Sequence, residues 1–382
     1  MKKTLVLVLA VIMAITIFAG CSAQEAEEQT TEETTTEEAT TEDTTTEDTA
    51  EASEDAATEE TEVAPEDITG DLTLYTSEPE ELVSEMVAKF NETYPNVNIE
   101  IFRSGTGKVT AKMDAELATG STPANILWFA DIAYINNLDQ EGMIYHYTPQ
   151  TAKDVGVDEQ YLYNDGMGGE VRLIYNVIAY NTDEVTEAPK DWMDVTTEEY
   201  KGSFAMANPN YSGGAFSALV VHVQNEDKVG WAWYDALDAN DVKFEESNGN
   251  LQTKVSSGEY KAVAIVDFMA RTAKAEGSPV DYVYPESGAV LVPTPLSIMN
   301  NIPEESIPAA EAFVEWCYTE EAQELMVAQQ YIPVNSNVAG PEDAPALEDI
   351  PVLPFDLDYF IENSSSIREE YTNKYGEAEI QS

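Results

Sequence analysis

The sequence predicts an α/β protein of two lobes, each built on a largely parallel sheet. Three observations carry that expectation. From Asp71 onward strand-like and helix-like runs alternate, and such alternation makes parallel sheets joined by right-handed crossovers. At 171–181 an apolar strand pattern is long enough to leave one lobe and enter another, after which the alternation restarts. A return crossing lies at 289–299, interrupted by Pro293 and Pro295.

At the N-terminus, Lys2 and Lys3 precede an apolar run from Leu5 to Phe18 that closes on Ala19-Gly20-Cys21. Charge, apolar core and small residues in that order read as a secretory signal, too short to span a bilayer comfortably. The Ala19-Gly20-Cys21 end is similar to the bacterial lipoprotein cleavage box, which implies that Cys21 becomes a lipidated first residue. From Ser22 to about Pro65 the chain is nearly all Thr, Glu, Asp and Ala with no basic residue, a composition that cannot bury enough apolar surface to offset the entropy of ordering. The expectation is a disordered acidic tether that keeps the protein at the extracellular face of the cell membrane. The expected divisions are a signal peptide over 1–20, the tether over 21–69, a first lobe over 70–175 that resumes over 289–335, a second lobe over 176–288, and a C-terminal segment over 336–382.

Within the first lobe the pattern gives strands at 72–75, 98–102 and 125–129, followed by helices at 78–94, 108–119 and 132–141. Ser77 and Glu80 stand in capping-box spacing with Pro79 in the first turn, and Val109, Met113 and Leu117 share a helix face. The second lobe reads as strands at 203–207, 242–244, 262–266 and 280–284, with helices at 215–224, 229–239, 251–257 and 268–276. Helices at 308–318 and 320–330 follow, with Thr319 capping the second, and then a mixed segment. Phe313, Trp316 and Cys317 fall on one apolar face, so Cys317 reads as a core residue; with Cys21 used for lipid, no internal disulfide forms.

The strand-to-helix turns carry the functional expectation. A helix leaves its first N–H groups unpaired at the positive end of its dipole, and glycines there let a ligand come close. Three such turns occur, at Thr76-Ser77, at Ser104-Gly105-Thr106-Gly107 and at Ser212-Gly213-Gly214. Ligands of open α/β sheets bind beyond the carboxyl ends of the strands, where these loops and Trp128-Phe129-Ala130-Asp131 belong. One crevice shared by them would suit an anion.

The formal net charge is -55, with 18 Lys plus Arg against 73 acids, which leaves no basic face for nucleic acid. An anionic ligand is still permitted, because a crevice answers to local amide dipoles and a few cations. Catalysis finds little support. His146 and His222 are the only imidazoles, Ser212-Gly213-Gly214 lacks the Gly-x-Ser-x-Gly elbow, and no His-Glu-x-x-His spacing occurs.

Several short motifs follow one another over 70–335. They are Leu74-Tyr75-Thr76-Ser77 with Pro79-Glu80-Glu81-Leu82, Ser104-Gly105-Thr106-Gly107, Ala179-Tyr180-Asn181-Thr182, Tyr200-Lys201-Gly202, Asn208-Pro209 with Ser212-Gly213-Gly214-Ala215, Ser257-Gly258-Glu259-Tyr260, Glu320-Glu321-Ala322-Gln323-Glu324-Leu325, and Ile332-Pro333-Val334. In order and spacing they resemble the extracellular solute-binding proteins of ABC importers, in the two-lobed group that includes ferric-iron, 2-aminoethylphosphonate and sugar-phosphate binders. The resemblance implies a periplasmic-binding-protein-like type II fold with a two-crossover hinge, a monomer that closes on solute, and delivery to a membrane permease with its ATPase. It implies neither a cofactor nor an enzymatic activity.

Ferric binders of that group use adjacent tyrosines just after the strand matching 262–266, where this chain has Asp267-Phe268. A phosphonate or sugar phosphate is therefore the expected solute, and ferric iron the alternative. The candidate cradle is Thr76, Ser77, Ser104, Thr106 and Ser212 with the N–H groups of Gly105, Gly107, Gly213 and Gly214. Asp267, Asp131 and Glu286 are candidates for a polar or cationic tail, Tyr180 for the hinge lining and Arg103 for the anion. Each also has a plain structural reading: Asp267 as a helix N-cap, the other two acids as solvated loop carboxylates, Tyr180 as half-buried packing. A wall-attached hydrolase, or a sensor or adhesin that kept the fold, is the alternative of another class.

Overall fold

A computed structural model describes residues 63–376 of the protein. The signal segment, Cys21 and nearly all of the tether lie outside the described residues. The described chain opens with a 3-10 turn, Pro65–Asp67, where the Glu66 carbonyl accepts from Asn96 Nδ2 at 2.7 Å. The last residues assigned to the tether thus belong to the folded body.

Two sheets organise that body. In the first, Gly70–Thr76 lies between Val97–Arg103 and Ile126–Trp128, all parallel, and Leu296–Met299 returns antiparallel beside Ile126–Trp128. In the second, Phe204–Ala207 runs parallel between Lys243–Glu245 and Ala262–Val266. Tyr175–Asn181 lies antiparallel to Ala262–Val266, with Val280–Val283 on its other side. Ala-Val-Ala-Ile-Val over 262–266 is buried at every residue, as a strand covered on both faces requires.

Helices start where these strands end. Glu80–Thr93 and Thr106–Leu117 follow the first two strands; Gly213–Gln224, Asn248–Ser256 and Asp267–Ala275 follow three strands of the second sheet. The chain passes between the sheets twice. It leaves through Arg172–Leu173, which pairs with Ile332–Pro333, and returns from Val290–Leu291 to Leu296–Met299. Val292 N donates to Ile174 O at 3.0 Å, so the crossings run side by side. Pro293 and Pro295 fall between strands, where no ladder donor is needed.

The buried apolar residues form two clusters, and each draws on both lobes. Phe90 meets Phe313 and Trp316 edge-on at 5.2 and 5.8 Å, beside a fully buried Cys317 whose thiol burial pushes well up. In the second lobe His222 lies among Trp192, Trp233 and Tyr234; burial lowers it to about 3, so it is a neutral core residue.

Two local expectations differ. The Ser77–Glu80 capping box does not form: Pro79 is the N-cap, with no side-chain bond, and Glu78 N donates to Thr76 Oγ1 at 3.0 Å instead. The mixed C-terminal segment contains a 19-residue helix, Leu357–Tyr375. Asp356 caps it by accepting from Tyr359 N at 3.0 Å, and Gly376 ends it with φ 73°.

Candidate functional site

The carboxyl ends of the two sheets face one cleft of about 740 Å³. From the first lobe it is lined by Ser77, Glu78, the run from Arg103 to Lys108, and Ala130. From the second it is lined by the run from Asn210 to Gly214, the run from Glu246 to Gly249, Val266, Phe268 and Met269, with Arg172, Ile174, Val292 and Thr294 at the crossings. Three helices therefore open into it by their N-termini, at Thr106-Gly107, Gly213-Gly214 and Asn248-Gly249. Each presents amides that a helix leaves unpaired. Ser212 Oγ and Ser247 Oγ are used as caps, accepting from Ala215 N and Asn250 N at 3.3 Å each.

The glycine corners face each other across the seam. A Cβ on Gly213 would sit 2.1 Å from Ala130 O and 2.9 Å from Thr106 Oγ1, both on the other lobe. One on Gly107 would lie 3.7 Å from the carbonyl oxygens of Asn210 and Tyr211. The lobes thus approach to backbone contact at this point.

Of the sequence-derived candidates, Ser77, Ser104, Gly105, Thr106, Gly107, Ser212, Gly213 and Gly214 line the cleft. The amides of Ser77 and Ser104 are spent, donating to Trp128 O and Thr76 O at 3.1 Å each, so these two can offer only their side chains. Five other candidates lie elsewhere. Thr76 is buried, its Oγ1 donating to Trp128 O at 2.8 Å. Asp131 caps Ile132–Gln140, accepting from Tyr134 N at 3.0 Å, and lines a separate cavity. Tyr180 sits near the far end of Tyr175–Asn181, opposite Ala262 and Asp281. Glu286 is exposed on a loop where its N donates to Lys190 O.

Asp267 is neither ligand group nor N-cap. It is the first residue of its helix and fully buried, with Oδ1 accepting from Tyr175 N at 3.0 Å and Phe268 N at 2.9 Å. Its Oδ2 lies 2.8 Å from Arg271 Nη1 and accepts from Tyr284 OH at 2.9 Å. A carboxylate so fully engaged has nothing left for a ligand.

Sequence reasoning missed the groups at the crossings. Arg172 is buried, ion-paired with Glu78, and lies 4.8 Å from the Tyr331 ring centre and 5.5 Å from that of Trp128. Its Nη1 donates to Thr294 Oγ1 at 2.7 Å; Thr294 in turn donates through N and Oγ1 to Glu170 at 2.8 and 3.0 Å. Burial raises the Glu170 carboxyl to about 7, against the opposing pull of Arg172, the Thr294 amide and the Tyr163 hydroxyl. Lys108 reaches over the cleft to Glu246 at 2.8 Å, and Arg103 Nε donates to Glu78 O at 3.0 Å. Among the described cations lining the cleft, Arg103 alone has no carboxylate partner.

Two α/β lobes, joined by two crossings, meet over an amide-lined cleft of the kind that solute-binding proteins use. Residues 85–352 match the model of the bacterial extracellular solute-binding proteins, and the chain belongs to that family. It is a solute-binding protein of an ABC importer. A Haemophilus influenzae relative without assigned function is 28% identical over 268 residues, covering 67% of this chain and 75% of its own. A Salmonella typhimurium relative, provisionally named a 2-aminoethylphosphonate-binding periplasmic protein, is 23% identical over 251 residues, covering 63% and 71%.

Among solved structures, the periplasmic binding protein AfuA of Actinobacillus pleuropneumoniae with fructose 6-phosphate shares 20% identity over 81% of this chain and 98% of its own, at a TM-score of 0.69. Iron-bound HitA of Pseudomonas aeruginosa shares 17% over 78% and 98%, at 0.68. Both show the periplasmic-binding-protein-like type II fold. No helix among the described residues is long and apolar enough to cross a membrane.

Proposed function

We propose that the protein captures a small anionic solute, a sugar phosphate or phosphonate, between its lobes and hands it to a permease, while lipid on Cys21 holds it at the outer face of the membrane. The observation that carries this reading is the convergence of three helix N-termini from two lobes on one cleft, beside an arginine without a carboxylate partner. Amides, dipoles and Arg103 would share the charge of a phosphoryl group. A cleft near 740 Å³ lies within the usual range of about 300–1,000 Å³ for small-molecule sites, which favours a sugar phosphate over the smaller 2-aminoethylphosphonate. The likenesses to a provisional phosphonate binder and to AfuA support the same class.

Thermal unfolding with fructose 6-phosphate, 2-aminoethylphosphonate and ferric ion, each added separately, tests the reading. A bound solute at about one hundred times its Kd stabilises the native state by about 2.7 kcal/mol. Stabilisation by ferric ion alone, with a tyrosinate absorption band, would replace the anion with iron. Incorporation of a fatty-acid analogue that persists after Cys21→Ala would refute the anchor.

A further inference from the structure

We infer that Arg368, on the C-terminal helix, is a positioning residue that ties the second-lobe glycine corner to the first lobe. The helix Leu357–Tyr375 lies beyond the residues matched by the family model, and packs on Gly213–Gln224 of the second lobe and Ile132–Gln140 of the first. Its hold on the second lobe is aromatic and ionic. Phe360 meets Phe216 edge-on at 6.2 Å, Tyr371 meets Tyr234 at 6.1 Å, and Tyr375 OH donates to Asp235 at 2.6 Å.

From that base one guanidinium reaches three ways. Its centre lies 3.5 Å from the Phe216 ring centre. Arg368 Nη1 donates to Pro209 O at 3.1 Å, within the loop that leads to Ser212 and Gly213. Nη2 stands 4.0 Å from Asp131 Oδ2 on the other lobe, one residue past the Ala130 carbonyl that confronts Gly213. A turn further on, Thr372 Oγ1 lies 3.5 Å from Asn210 Oδ1. Arginine suits this post because its planar fork can bond a carbonyl, face a carboxylate and stack on a ring at once, which a lysine ammonium cannot.

The two arms have different consequences. The bond to Pro209 O fixes the corner within its own lobe, whereas the charge pair with Asp131 acts across the seam and weakens if the lobes part. Arg368 therefore sets both the shape of the second-lobe corner and its standing against the first.

Hydrogen exchange of the unliganded full-length chain tests this without any ligand. In Arg368→Gln, the amides of Asn210, Tyr211 and Ser212 should exchange about tenfold faster, as loss of a charge-assisted bond allows, and those of Tyr134 and Ile135 on the other lobe about threefold faster, as loss of a 4.0 Å ion pair allows. Asp131→Asn keeps the helix cap, since asparagine caps as well as aspartate, yet should speed exchange at Asn210 to Ser212. Arg368→Lys should fall between. Faster exchange confined to the mutated lobe in both variants would overturn the inference, leaving Arg368 a packing residue. Should Arg368→Gln fail to fold, Asp131→Asn and Arg368→Lys decide the matter alone. Fructose 6-phosphate affinity serves as a second readout, so a chain that binds no phosphate ester but shows the two-lobe exchange pattern refutes the proposed solute and not this role.

Discussion

At position 213 a hydrogen in place of a methyl group lets the lobes meet. In Gly213→Ala the new Cβ would fall 2.1 Å from the Ala130 carbonyl oxygen, and neither atom is the end of a flexible side chain. The lobes would have to separate. Overpacking of this kind costs about 1–3 kcal/mol, so affinity for fructose 6-phosphate should fall at least about fivefold. Calorimetric titration measures it, and undiminished affinity would show that the seam is not part of the site. Ser212→Ala should cost about 1 kcal/mol of stability in denaturant unfolding, through the bond it removes from Ala215 N.

The same scale shows where the sequence is readable. Glycines before an apolar-periodic helix announce Gly213 and Gly214, because few other residues suit that corner. An aspartate after a strand announces nothing, since ligand, cap and ion pair all use one. For Asp267 the signal was Arg271, four residues on and so on the same helix face, but Tyr175 and Tyr284 come from elsewhere in the chain and no local pattern names them.

At the scale of elements, the boundaries followed apolar periodicity closely in the strands of both sheets, whereas the C-terminal helix went unread. Its signals were present: Asp356 as N-cap, Phe360, Ser364, Ile367 and Tyr371 as one buried face, and Gly376 as stop. A serine within that stripe and a run of Asn-Ser-Ser-Ser before Ile367 masked the period. The crossings were visible as apolar strands, but not the polar pairing of Glu170 with Thr294, which links residues distant in sequence.

That pairing has a pH signature. Glu170 titrates near 7 in the fold against 4.5 when unperturbed, because burial favours its neutral form. Below pH 4.5 both states carry the proton and its contribution is complete; between 4.5 and 7 the unfolded chain releases the proton first, so the contribution declines as pH rises, then levels off. The decline amounts to about 3 kcal/mol. Glu170→Gln cannot release a proton, so the stability of the wild type relative to this variant should fall across that window in denaturant titrations. A constant difference would mean that Glu170 stays charged throughout.

At the scale of the whole molecule, an anionic solute must approach a chain of formal net charge -55. The two scales of field can be separated by salt. At about 0.01 M ionic strength the Debye length is about 30 Å, and the approaching solute feels the repulsion of the entire surface; at 0.15 M it is about 8 Å, and only the cleft matters. The association rate of fructose 6-phosphate should therefore rise with salt over this range. The amides at Thr106, Gly107, Gly213 and Gly214 are fixed dipoles at short range, so the dissociation rate should change much less. Stopped-flow measurements separate the two constants. A cationic solute would be steered in by the same surface, and its association rate would fall as salt rises. An association rate for fructose 6-phosphate that falls with salt would mean that attraction to Arg103 and its neighbours extends well beyond the cleft mouth, contrary to an acidic molecule that holds its anion only by contact.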